Sequence, residues 1–175
     1  MATSTLLSVQ EYLQLEPRQD GLKDELIEGA VVLSPNAKPL HAKVVANLFD
    51  MLKALQAGGY ARATDFGCIL GEHSLPGPDL AVIRTERWRR VGEDDYLVGS
   101  PELVVEVFSP SNRKALMAQK AALYLQYGAE AVWVVYPERR TVVVHEVDSQ
   151  IEARCGETVS FQGVVVPVDA IFEDL

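Results

Sequence analysis

At 175 residues the chain has enough length for one domain with one sizeable core. Hydrophobic residues at 48% and charged ones at 23% are ordinary globular usage, and no apolar run approaches the roughly 20 residues needed to span a bilayer. The net charge of −9, from 16 Lys and Arg against 25 Asp and Glu, argues against a surface that is basic throughout and leaves polyanion binding to a local cluster at most. The first residues lack the basic region and long apolar core of a secretory leader. Cys68 and Cys155 are isolated and match no metal spacing. A reducing cytoplasm is therefore expected, with both cysteines as packing residues.

Residues 1–175 read as one domain. Ser8-Val9-Gln10-Glu11 is a capping box that starts a short helix, about Val9 to Leu15. Leu22–Ile27 and Ala30–Leu33 flank Glu28-Gly29, a hairpin signal. After the loop Ser34–Pro39, the apolar residues Val44, Val45, Leu48, Met51, Leu52 and Leu55 recur at helical spacing. They predict a helix from about Leu40 to Ala57 that stops at Gly58-Gly59. Tyr60–Leu70 holds one or two short strands, and Asp79–Ile83 the next. Arg84–Arg90 places four arginines and Trp88 together. It is either a solvated segment with Trp88 folded onto the core or a phosphate-contacting lip. Glu102–Phe108 is a strand and Arg113–Tyr127 a helix ended by Gly128. Ala131–Tyr136 and Thr141–Val147 form a hairpin, and Val164–Pro167 a further edge segment. Strands and helices alternate and then strands pair, so the fold class is α/β (α+β), a mixed sheet flanked by helices.

The chemistry concentrates between Asp79 and Lys120. On the strand around Glu106, Leu103, Val105 and Val107 line one face, and Val104, Glu106 and Phe108 the other. Both faces are otherwise apolar, which marks an interior strand. A buried, unpaired carboxylate costs on the order of several kcal/mol, so Glu106 needs a metal, a cation or a proton. Leu116, Leu123, Tyr124 and Tyr127 share the helix face of Lys120, so this Lys projects toward the core, where it is seldom unpaired. Pairing of Lys120 with Glu106 would explain both anomalies, either as a structural ion pair or as part of a site. Asp79 opens its strand after a proline-restricted loop. If the two strands are neighbours, Asp79 and Glu106 could share a divalent cation that keeps several waters. His41, in the first turn of its helix, is uninformative by itself.

Pro78-Asp79, Glu106-Val107-Phe108-Ser109-Pro110-Ser111, Lys120 and Trp133-Val134-Val135, in that order, resemble the PD-(D/E)XK nuclease superfamily. Within it the chain resembles the Uma-two family of bacterial restriction-like endonucleases, from about Glu25 to Pro137. Glu25-Leu26-Ile27-Glu28-Gly29 and His41 also match that pattern. The resemblance implies a restriction-endonuclease-like fold. It implies Mg²⁺ or Mn²⁺ bound by Asp79, Glu106 and the Val107 carbonyl, with Asp79, Glu106 and Lys120 as the catalytic set for hydrolysis of DNA. It also implies a homodimer as the candidate assembly. Phe108 stands where the superfamily motif has its Lys, and the resemblance carries that role to Lys120. Leu116, Ala131 and Tyr136 occupy positions that are often acidic in the family. Glu25 and His41 are candidate rim residues, and Arg84, Arg87 and Arg113 candidate phosphate-binding residues. The rival expectation is a non-enzymatic interaction module that kept the fold. A nuclease for RNA or branched DNA is a third.

Overall fold

The structure, a computed structural model, describes residues 6–16, 18, 22–34, 37–109 and 114–175. Helix α1 (Val9–Tyr12) carries the expected capping box: Ser8 Oγ accepts the Glu11 N–H at 3.2 Å, and the Ser8 N–H donates to Glu11 Oε2 at 2.9 Å. Strands β1 (Lys23–Ile27) and β2 (Ala30–Ser34) form the predicted antiparallel hairpin. Its two turn residues, Glu28 and Gly29, both have positive φ, at 47° and 79°. Such a two-residue turn matches the twist of the strands it joins.

Helix α2 (Pro39–Met51) begins with Pro39, whose missing N–H would be unpaired in the first turn anyway. It is shorter than its periodicity predicts, because the chain tightens into 3₁₀ geometry over Leu52–Gly58. Leu52 and Leu55, both buried, sit three apart and eclipse each other in that geometry, so one face still meets the core. Gly59 then turns the chain with φ 84°.

The remaining elements follow in order: β3 (Tyr60–Ala63), β4 (Cys68–Ile69), β5 (Leu80–Arg84), α3 (Thr85–Trp88), β6 (Leu97–Val98), β7 (Leu103–Val107), α4 (Lys114–Gln126), β8 (Ala131–Tyr136), β9 (Thr141–His145), β10 (Gln150–Arg154), β11 (Thr158–Phe161), β12 (Val164–Pro167) and α5 (Val168–Ile171). Six strands make the central sheet in the order β10-β9-β8-β7-β5-β3. The β7–β8 pair is parallel and the other pairs are antiparallel. The parallel pair requires a crossover, and α4 supplies it.

Both faces of the sheet are covered. Leu80, Val82, Leu103, Val105 and Trp133 pack on one side with Leu48 and Leu52 and with Val166 and Ile171 from β12 and α5. Ala81, Ile83, Val104, Val132 and Val134 pack on the other with Met117, Ala121 and Tyr124 of α4. Every residue of β7 is buried, as expected of an interior strand. Trp88 lies partly buried on this second core, edge-to-face with Phe66 at 5.0 Å. Cys68 is buried and Cys155 exposed, and both are free thiols.

The C-terminal expectation needs correction. Val164–Pro167 pairs with β11 in a separate two-stranded sheet rather than on an edge of the main one. The positive φ of Gln162 (48°) and Gly163 (80°) folds β12 straight back onto β11. One edge of that sheet is β10, whose Gln-Ile-Glu-Ala-Arg sequence buries Ala153 alone and so shows little apolar alternation, and the other is β3.

Candidate functional site

Strands β5 and β7 are antiparallel neighbours with Leu80 opposite Val105, which brings Asp79, just before β5, beside Glu106. Strand alternation puts Glu106 on the α4 side of the sheet, with Val104. Lys120, on the buried face of α4, reaches down to it. Its Nζ lies 2.8 Å from Glu106 Oε1. The same Nζ lies 2.9 Å and 3.1 Å from the two carboxylate oxygens of Glu25 on β1. Thus Lys120 has two carboxylate partners, where the spacing alone suggested one.

Glu25 is therefore inside the cluster, with a side chain 13% exposed, rather than at its rim. It also accepts the Gly77 N–H at 2.6 Å, which ties down the loop that delivers Asp79. Asp79 Oδ2 accepts the Val107 N–H at 2.7 Å and lies 3.0 Å from His41 Nε2, so α2 contacts the site through its first turn. Tyr124, fully buried one helical turn beyond Lys120, donates its hydroxyl to Glu106 Oε1 at 3.0 Å. The sequence signal for Tyr124 was its i+4 spacing from Lys120, which reads as packing until the hydroxyl is placed.

Two carboxylates, Glu25 and Glu106, contact the Lys120 ammonium, and Asp79, bonded to Val107 N–H and beside His41, adds its charge nearby. Burial, together with Asp79 and Glu25, raises the Glu106 pKa to about 8 against the lowering effect of Lys120. A contact of 2.8 Å to an ammonium would ordinarily keep a carboxylate ionised. Here burial outweighs the ammonium, and Asp79 and Glu25 add to it. Lys120 responds to the same carboxylates: burial alone would lower its pKa, yet Glu106 and Glu25 raise it, so it stays charged. Burial and the Glu106 charge push the Tyr124 hydroxyl well above its ordinary range, so it remains a donor. Cys68 is buried nearby, and its thiol is pushed up to about 12, which leaves it unreactive.

Of the candidate phosphate-binding residues, the two that are described, Arg84 and Arg87, lie away from this end of the sheet. Arg84 ends β5, five residues past Asp79, or about 16 Å away at strand rise. Its guanidinium lies over the Tyr60 ring and 3.7 Å from Glu130. Arg87 bonds Glu102 Oε1 at 2.7 Å and the Ser100 carbonyl at 3.0 Å. Glu102 precedes β7 and lies at the opposite end of that strand from Glu106. Both arginines are thus tied to acidic partners away from Asp79. Arg113 lies outside the described residues. Two surface depressions, of about 330 Å³ beside Tyr60 and Arg84 and about 240 Å³ beside His73 and Tyr127, are lined by none of Asp79, Glu106 or Lys120.

No curated protein matches the chain. Its fold is similar to that of a crystal structure from Anabaena variabilis described as a "putative nuclease belonging to DUF820". The two share 18% identity at a TM-score of 0.81, over 95% of this chain and 97% of that one. That likeness, together with the mixed six-stranded sheet between helices, establishes the fold as restriction-endonuclease-like. The Uma2 family model, described as "Putative restriction endonuclease", matches residues 9–173, and the chain accordingly belongs to the Uma2 family.

Proposed function

We propose that this protein is a metal-dependent endonuclease that hydrolyses DNA phosphodiester bonds at the Asp79–Glu106–Lys120 cluster. The observation that carries the reading is the gathering of acid at adjoining strand ends, with Glu25 and Glu106 on one ammonium and Asp79 beside Glu106. Such a site is short of positive charge, and its donors are the hard oxygens that Mg²⁺ or Mn²⁺ prefers. Among the described residues no group of three or more His, Cys, Asp or Glu side chains is arranged to hold a metal ion. The residues that would hold the ion are therefore two carboxylates, Asp79 and Glu106, with the Val107 carbonyl. When bound, the ion would neutralise phosphate charge and acidify water.

The protein's own part is orientation. Val107 N–H and His41 aim Asp79. Glu25 and Glu106 hold Lys120 between them, and on this reading its ammonium would stabilise charge developing on a phosphoryl oxygen. Membership of the Uma2 family supports a nucleic-acid substrate. Two copies of the chain would place one such site on each strand of a duplex.

The second reading is a non-enzymatic interaction module. Its support is how closed the cluster is, with Glu106 at 5% and Lys120 at 3% side-chain exposure. Calorimetric titration of Mn²⁺ and Mg²⁺ into the wild type and Asp79→Ala separates the two. Saturable binding that the mutant loses, followed by metal-dependent cleavage of plasmid DNA, is expected of the nuclease. A wild type that takes up neither ion would leave a structural ion-pair network and the interaction module.

A further inference from the structure

Tyr124 has no part in the catalytic set suggested by the sequence, yet it makes the second hydrogen bond to the carboxylate at the centre of the site. Lys120 and Tyr124 are four apart on α4, so they lie one above the other on its inward face. Both donate to the same oxygen, Glu106 Oε1, at 2.8 Å and 3.0 Å. A carboxylate with one donor can still swing about it. Two donors fixed by one rigid helix hold that oxygen and leave the second oxygen's lone pairs as the group's remaining acceptor capacity.

The ring of Tyr124 is packed in the core beside Ala121 and Leu123 and is 0% exposed. A phenylalanine would fill that core equally well. Placing a hydroxyl there requires a buried acceptor, because an unpartnered buried hydroxyl is costly. Glu106 is that acceptor, so the two polar groups are sited for each other.

We infer that Tyr124 is a positioning residue, whose hydroxyl orients the Glu106 carboxylate for a divalent cation. The inference rests on the proposed metal site and extends it from the ligands to the group that holds one of them. Partners of this kind are typically worth 10-fold to 100-fold in metal affinity.

The test is a calorimetric Mn²⁺ titration of the full chain as wild type, Tyr124→Phe, Glu106→Asp and the double variant, with far-UV circular dichroism to check the fold. The phenylalanine keeps the ring and removes the hydroxyl. The aspartate keeps a carboxylate but withdraws it from the hydroxyl. Tyr124→Phe is expected to keep the wild-type spectrum and weaken Mn²⁺ binding by about tenfold. In the Glu106→Asp background the same change is expected to have almost no further effect, since the bond is already gone. A merely structural Tyr124 would weaken both backgrounds alike. Equal affinity of Tyr124→Phe and wild type, or equal losses in the two backgrounds, would overturn the role of Tyr124 and leave the metal site standing. A wild type that binds no Mn²⁺ would overturn both at once.

Discussion

At the scale of single residues, the centre of the protein is the Lys120 ammonium and the carboxylates that share it. Replacing Lys120 with Met leaves Glu25 and Glu106 buried without their cation. We expect a loss of about 3–5 kcal/mol in urea unfolding at neutral pH. Glu106→Gln should cost much less, because Lys120 keeps Glu25 as a partner. The raised Glu106 pKa adds a pH dependence of definite sign. Its folded value lies near 8 against an ordinary 4.5, so folding favours the protonated acid. That stabilisation is complete below the ordinary value and is lost as pH rises through the folded one. The metal-free protein should therefore unfold at lower urea at about pH 8.5 than at about pH 6, and Glu106→Gln should flatten the difference. Lys120 does not contribute to this window, since its raised pKa acts above its ordinary 10.5. His145, lowered by burial, acts with the opposite sign in both proteins and cancels in the comparison. An equal slope in the mutant would assign the pH dependence elsewhere.

At the scale of elements, the hairpin β1–β2 matters because it carries Glu25 to the site. Its turn depends on Gly29, which has φ 79° and packs against Leu6, so that an added Cβ would come within 2.6 Å of Leu6 Cβ. Gly29→Ala thus meets both a disfavoured backbone and a steric clash, and a loss of about 1–2 kcal/mol is expected in denaturant unfolding. An unchanged midpoint would mean that Leu6 moves aside freely. The hairpin was legible in the sequence because Glu28-Gly29 between two apolar runs is a local signal. The 3₁₀ end of α2 was not, since Leu52 and Leu55 satisfy an α-helical and a 3₁₀ periodicity equally. Strand β10 was missed for a related reason: an edge strand with one buried residue has no pattern to read.

At the scale of the whole molecule, charge is sorted between the two ends of the central sheet. One end gathers the Asp79–Glu106 carboxylates, and the other ties Arg84 and Arg87 to Glu130 and Glu102. Glu102 is only 8% exposed at its side chain, so Arg87→Ala strands a buried carboxylate. A stability loss of about 3 kcal/mol is expected, with Mn²⁺ affinity unchanged, because the arginine belongs to the far end. A fall in Mn²⁺ affinity without loss of stability would place Arg87 in the site instead.

The sequence by itself determined the elements whose patterns are local: the capping box, the hairpin turn, the interior strand around Glu106 and the inward face of Lys120. Those follow from the fixed periods of strand and helix, which any short stretch displays. Which charges meet was decided by the tertiary structure. Glu25 and Lys120 are 95 residues apart, and no local pattern pairs them. Arg84 lies close to Asp79 in sequence, yet the antiparallel register of β5 and β7 carries it to the opposite end of the sheet. In a buried, low-dielectric setting a charge requires a partner, but packing of distant elements selects which one.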